Sequence, residues 1–269
     1  MAFEINSSSQ LIFLLAMDGM IAFSVQSGSN GNSIYVEAGG VRLLFDAGIP
    51  GSALMSRLGG HGKDARGMDA LIISHDHSDH IRYAGVYQRK FGLPIYLTPG
   101  TLDAASPLGH LEDVRMFLTG SVLQFGPVSV RTIPTSHDAA EGVAFVVSYE
   151  GRRLGILTDL GHPFEGLGGL ISTLDGVFIE SNYDPRMLQA GPYPAFLKKR
   201  IQGPRGHISN AEAAELIRQH GARLKWACLA HLSEQNNRPE IALKTHRAAC
   251  SGLPLYAASR HAASRIFRL

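Results

Sequence analysis

His75-Asp76-His77-Ser78-Asp79-His80 is the stretch on which the reading of this chain turns. It follows Ala70 to Ser74 directly, a short apolar run of the kind expected for a strand buried on both faces. His75 and His77, two apart on an extended segment, project to one side. Helical spacing then runs from Ser78 to Phe91 and presents Asp79 and His80 in its first turn. Three imidazoles and the Asp79 carboxylate within six residues are poor core material. Imidazole suits zinc and related first-row metals, and an added carboxylate fits a hydrolytic site with an open coordination position.

Three positions farther along repeat that context. His137 follows the strand-like run Val128 to Pro134 by a short tail, Asp159 ends Leu154 to Thr158, and His231 ends Trp226 to Ala230. Active-site groups commonly sit just beyond strand ends, so four such ends can converge on one rim. A lone histidine after a strand is more often structural; the set together with the six-residue cluster is the signal.

Around these points strand and helix signals alternate, without repeats, low-complexity tracts or a long linker. Ile21 to Gln26 and Ser33 to Ala38 are strand-like and flank the turn-rich Ser27–Asn32. Val41 to Asp46 follows a Gly39-Gly40 hairpin turn. Val122 to Phe125, Val143 to Tyr149 and Val177 to Glu180 are further strands, and Asn210 to His220 and Pro239 to Ala249 read as helices. Hairpins followed by helices suggest two sheets covered by helices. Periodicity alone does not separate that from a doubly wound sheet.

At 269 residues the chain suits one large α/β domain, and a chain of this size buries roughly 70–75% of its unfolded surface. Hydrophobic residues make up 45% and charged residues 18%, which excludes a disordered chain. A net charge of +2 makes no general case for nucleic acid, so any basic patch must be local. The 2 cysteines, Cys228 and Cys250, form no closely spaced pair. Neither a disulfide framework nor a thiolate metal site is indicated, and a reducing, cytoplasmic setting is expected. The run Leu11 to Met17 is too short to span a bilayer. The first residues offer Glu4 but no Lys or Arg for a signal peptide. Residues 1–19 are read as a flexible extension before a domain over 20–269, with Met20 an alternative start.

His75-x-His77-x-Asp79-His80 with His137, Asp159 and His231, in that order, resembles the signature of the metallo-β-lactamase superfamily. The resemblance runs from about Ile21 to the end of the chain. It implies a four-layer αββα sandwich and two divalent ions, Zn2+ or Mn2+. His75, His77 and His137 would hold one, Asp79, His80 and His231 the other, and Asp159 would bridge both. It also implies a supporting role for Asp46. Gly28-Ser29-Asn30-Gly31-Asn32-Ser33, Thr135–Asp138, Glu180–Asp184, Gly206–Asn210 and Ala230–Ser233 are similar to the bacterial YycJ/WalJ-type branch, viewed as DNA exonucleases or phosphodiesterases. Two metals about 3.5–4 Å apart suit an in-line phosphoryl displacement and supply hydroxide near neutral pH.

The same metals serve a thioester, a lactone or a β-lactam, so substrate must be read elsewhere. Lys198, Lys199, Arg200, Arg205, Ser209 and Asn210 are candidate phosphate contacts, because a basic run there leads into a helix whose start carries the capping pair Ser209 and Glu212. Asp79 and His207 are the candidate catalytic groups, His207 meeting a phosphate or protonating a leaving oxygen. A solvated basic face before an ordinary helix start explains the same residues. The expected function is thus a dinuclear-metal nuclease acting on DNA. A glyoxalase II-like ester, thioester or lactone hydrolase is the first alternative, and a non-catalytic binding or regulatory protein the second. A homodimer is left open and no membrane partner is expected. His162 is a candidate site-lining residue. His61, His110, His220, His246 and His261 lack a ligand-like context, and Trp226 is assigned to the core.

Overall fold

The computed structural model describes residues 19–269. The expected extension therefore lies, but for Gly19, outside the described residues. The fold follows from strands whose alternate side chains are apolar on both faces. In β1 (Ile21–Gln26) Ala22 joins one buried cluster and Phe23 another; in β2 (Ser33–Ala38) Val36 and Tyr35 do the same, and in β3 (Val41–Phe45) Leu43 and Leu44. A sheet that is apolar on both faces needs a cover on each side.

The covers are helices outside and a second sheet inside. One seven-stranded sheet takes in β4 (Ala70–Ile72), β5 (Ile95–Leu97), β6 (Val114–Met116) and, at its far edge, the C-terminal strand Phe267–Arg268 beside β1. The other seven-stranded sheet holds β7 (Val122–Phe125), β8 (Val128–Pro134), β9 (Val143–Tyr149), β10 (Arg152–Leu157), β11 (Gly176–Glu180), β12 (Trp226–Ala230) and β13 (Leu255–Ala257). Phe45, Phe145, Phe178 and Trp226 fill the space between the sheets, Trp226 stacking on Phe267 at 4.4 Å. Helices α1 (Gly51–Gly59), α2 (Ser78–Ile81) and α3 (Ala84–Phe91) cover the first sheet through Leu54, Ile81 and Tyr87. Beyond α4 (Pro99–Ala104), α5 (Leu167–Ile171), α8 (Asn210–His220) and α9 (Pro239–Ala249) cover the second through Ile171, Ile217 and Ala242. This is the expected αββα sandwich. Among the described residues no helix is long and apolar enough to cross a membrane.

Three expected elements are cut shorter. The helix over Ser78 to Phe91 breaks at Arg82–Tyr83, where Ala47 donates to the His80 carbonyl at 2.6 Å and accepts from Tyr83 N at 2.9 Å. Docking on the neighbouring strand end overrides helix continuity there. The strands expected to reach Asp46 and Ser74 stop at Phe45 and Ile72, because Asp46 turns to φ 64° and accepts from Ser74 N at 2.8 Å. Helices α1, α4, α5, α6 (Pro185–Ala190) and α7 (Ala195–Gln202) went unread in the sequence; they are short or carry little apolar periodicity.

Candidate metal centre

The parallel strands deliver their carboxyl ends to one rim, where open α/β sheets place ligands. Asp46 follows β3, His75 follows β4, Asp159 follows β10, Glu180 ends β11 and His231 follows β12. Three of these turn sharply: Asp46, Asp159 and His231 stand at φ 64°, 53° and 54°. Left-handed backbone is uncommon outside glycine and is retained where surrounding structure enforces it, typically at functional sites.

All seven expected ligands meet in this cleft. Donor atoms of His75, His77 and His137 lie within 4.8 Å of one another, as do those of Asp79, His80 and His231, and those of His75, His80 and Asp159. Asp159 joins the groups: its Oδ2 is 3.2 Å from His80 Nε2, and its Oδ1 is 3.7 Å from His137 Nε2 and 3.3 Å from His231 Nδ1. The far nitrogens are tied down. His80 Nδ1 donates to Asp46 at 2.7 Å and His137 Nδ1 to the Gly206 carbonyl at 2.7 Å, which fixes each tautomer with Nε2 toward the cleft.

Burial pushes the His75 imidazolium well below the ordinary histidine range, and the cationic forms of His80, His77 and His137 add to this. Burial opposes charge on His80 too, but Asp159, Asp46 and Asp79 outweigh it and hold that group well above the usual value. The same contest leaves His231 raised to about 10, with Asp159 the chief attracting charge. Burial raises Asp79, yet His80 and His231 bring it down to about 2. The cleft is thus an anionic pocket that draws in positive charge.

The donors fit a divalent metal. His75 Nε2 is buried with no hydrogen-bond partner among the described residues, and Asp159 Oδ2 makes no well-aligned hydrogen bond either. His137 Nε2 faces His77 Nδ1 at 3.3 Å. Buried lone pairs aimed at one another cost free energy unless something positive lies between them, and imidazole with carboxylate is a donor set for first-row divalent ions.

Several supporting residues lie within the quoted motifs but carry no assigned role in the sequence reading. Glu180 is fully buried, accepts from Leu160 N at 3.0 Å and from His207 Nδ1 at 2.6 Å, and so turns His207 Nε2 outward. Asn32, from the glycine-rich loop, reaches Asp79 Oδ2 at 3.2 Å and His80 Nε2 at 3.0 Å. Asn182 lies 3.2 Å from His231 Nδ1, and Asp138 Oδ1 3.5 Å from His137 Nε2. Glu180 ends a wholly apolar strand, which is the signal that could have found it.

Of the expected phosphate contacts, Arg200 lines the cleft and its Nε donates to Asp138 at 2.6 Å. Lys198 donates to the Gln189 carbonyl, while Lys199 and Arg205 are exposed and outside the cleft lining. Ser209 and Asn210 are corrected. Ser209 is 3% exposed and closed in a capping box with Glu212; Asn210 is fully buried between Ser181 and Asn237. Groups whose hydrogen bonds are spent inside have none for a phosphate. His162 is exposed and outside the cleft lining. His246 is buried against Ser181, and Trp226 is core.

Two supporting positions can be tested. Asp46 accepts from Ser74 N, Ser74 Oγ and His80 Nδ1. Asp46→Asn keeps a residue that tolerates positive φ but turns one acceptor into a donor. It should weaken metal binding about 10- to 100-fold, read by titration against a competing chelator; an unchanged affinity would remove Asp46 from the site's support. Gly48 is the second: a Cβ there would stand 1.8 Å from the Asp79 carbonyl oxygen, which accepts from Asn32 N. Backbone cannot give way as a flexible side chain does. Gly48→Ala should therefore cost at least the ~1–3 kcal/mol of ordinary overpacking, seen in urea unfolding, and lower metal content. A variant as stable as the parent would mean that the loop yields freely.

Residues 41–231 match the family described as "Beta-lactamase superfamily domain", and the chain belongs to that superfamily. Over 225 residues it is 36% identical to the "Exodeoxyribonuclease WalJ" of Streptococcus pneumoniae, spanning 81% of this chain and 84% of that protein. It is also 36% identical to the "Exodeoxyribonuclease YycJ" of Bacillus anthracis, over 82% of this chain and 85% of that one. The crystal structure of the metallo-β-lactamase fold protein YhfI from Bacillus subtilis superposes with a TM-score of 0.74 at 20% identity, covering 94% of this chain and all 100% of that one, a likeness of fold.

Proposed function

We propose that this chain is a dinuclear-metal exodeoxyribonuclease. The observation that carries the reading is the joining of two histidine-rich donor groups through the buried Asp159 carboxylate, in a chain alike over most of its length to proteins named exodeoxyribonucleases. His75, His77 and His137 would hold one ion and Asp79, His80 and His231 the second, with Asp159 placed to serve both; Zn2+ and Mn2+ suit this donor set. When bound, the ions supply Lewis acidity and an activated water.

The chain's own residues do the rest. Asp79 lines the cleft and, held ionised by His80 and His231, would orient the attacking water as a hydrogen-bond acceptor. His207, held by Glu180 through Nδ1, donates from Nε2 to the departing oxygen. Arg200, on the wall of a cavity of about 330 Å³, attracts the phosphate. Cys228 and Cys250, both free thiols, accord with a cytoplasmic setting. The test is a panel for the metal-loaded protein: single-stranded DNA, RNA, a bis-aryl phosphodiester and a thioester. DNA should be the best substrate by kcat/KM. Preference for the thioester would refute the nuclease reading in favour of a small-ester hydrolase.

A further inference from the structure

We propose that Phe196 is a stacking platform for an unpaired base of the substrate strand. The proposal rests on the nuclease reading and specifies its substrate as a single-stranded polynucleotide end. Phe196 is 74% exposed, the most exposed large apolar side chain among the described residues. Nothing in the core accounts for it, because α7 contributes no buried residue. Other strongly exposed apolar residues, Met116, Leu118 and Val122, cluster about the β6–β7 turn and line no part of the cleft.

The helix register sets Phe196 at the cleft's edge. Leu197, Arg200 and Ile201 line the cavity, as does Tyr193 just before the helix. Phe196 precedes Arg200 by four residues, so the two side chains are neighbours on one face. The helix is also fixed relative to the chemistry. His207 N donates to the Ile201 carbonyl at 2.9 Å, Lys198 Nζ to the Gln189 carbonyl at 2.7 Å, and Arg200 Nε to Asp138, the neighbour of His137. A phenyl ring with a guanidinium beside it offers what a nucleotide presents, a π-face and a phosphate. Stacking serves every base alike and therefore suits processive removal of nucleotides without regard to sequence. A paired base is already stacked on both sides and has no face to offer.

The experiment uses the metal-loaded full chain. Wild type, Phe196→Ala and Phe196→Tyr are compared on a single-stranded deoxyoligonucleotide and on the same strand with abasic terminal residues. On the base-bearing strand Phe196→Ala should raise KM about 5- to 150-fold, with the loss in KM rather than kcat and rescue by Phe196→Tyr. The abasic strand should be handled alike by wild type and Phe196→Ala. A second readout needs no turnover. Trp226, the 1 tryptophan of the chain, is buried, so Phe196→Trp adds a reporting indole whose fluorescence the base-bearing strand should quench and the abasic strand should not. An unchanged KM without quenching overturns the platform. Quenching in a protein that cleaves no polynucleotide supports the platform and sinks the nuclease reading instead.

Discussion

Asp159→Asn is expected to lose metal and hydrolysis together. Asp159 is 3% exposed, and its two oxygens lie within 3.7 Å of histidines from both donor groups. Among the described residues it is the carboxylate of the cleft placed to offset positive charge at both proposed ion positions. Its carboxyl is held well below the usual carboxylate range: burial opposes the charge, but His231, His80 and His137 prevail. Neutralising it keeps the shape of the side chain but removes the charge and replaces one acceptor oxygen with a donor aimed at the histidines. Asparagine is the cleaner variant because the position stands at φ 53°, which asparagine tolerates and alanine does not. Elemental analysis should show metal reduced to background, and no substrate of the panel should be turned over, while circular dichroism keeps the folded spectrum. A folded variant with its full metal complement would remove Asp159 from the bridging role.

His207→Ala should separate chemistry from metal. His207 belongs to none of the histidine groups assigned to the ions; its Nδ1 is engaged by Glu180 at 2.6 Å and its ring packs 4.8 Å from that of His137. Metal content should therefore survive. Positioned proton transfer is typically worth about 10²–10⁴-fold, so kcat on DNA should fall in that range. The loss should shrink on a bis(4-nitrophenyl) ester, whose leaving group departs without a proton. Equal losses on both substrates would show that His207 binds phosphate rather than donating a proton. Loss of metal would make it a ligand, a role its proximity to Asp159, Glu180 and His231 leaves room for.

Much of the fold was legible because both sheets alternate apolar side chains on two faces, a pattern that survives any loop arrangement. The candidate ligand set stands out in the sequence for a related reason. A histidine or aspartate directly after an apolar run stands out, and His75 to His80 packs three histidines and two aspartates into six residues. Short helices such as α7 were not legible, since eight residues without a buried face carry no period to read.

The remainder was decided by tertiary contact. Glu180 and Asn32 lie 27 and 47 residues from the partners His207 and Asp79; only the bridge of Tyr183 with Ser209 just beyond β11 and the docking of the glycine-rich loop bring them together. Ser209 and Asn210 show the converse. In sequence they look like the start of an anion-binding helix, yet the fold turns that helix end inward, where Glu212, Ser181 and Asn237 consume its hydrogen bonds. Sequence determined which chemical groups the chain offers and the period that buries its strands. Which of those groups face the cleft, and which are spent on each other, was settled by packing, because hydrogen-bond partners distant along the chain are chosen only when the sheets close.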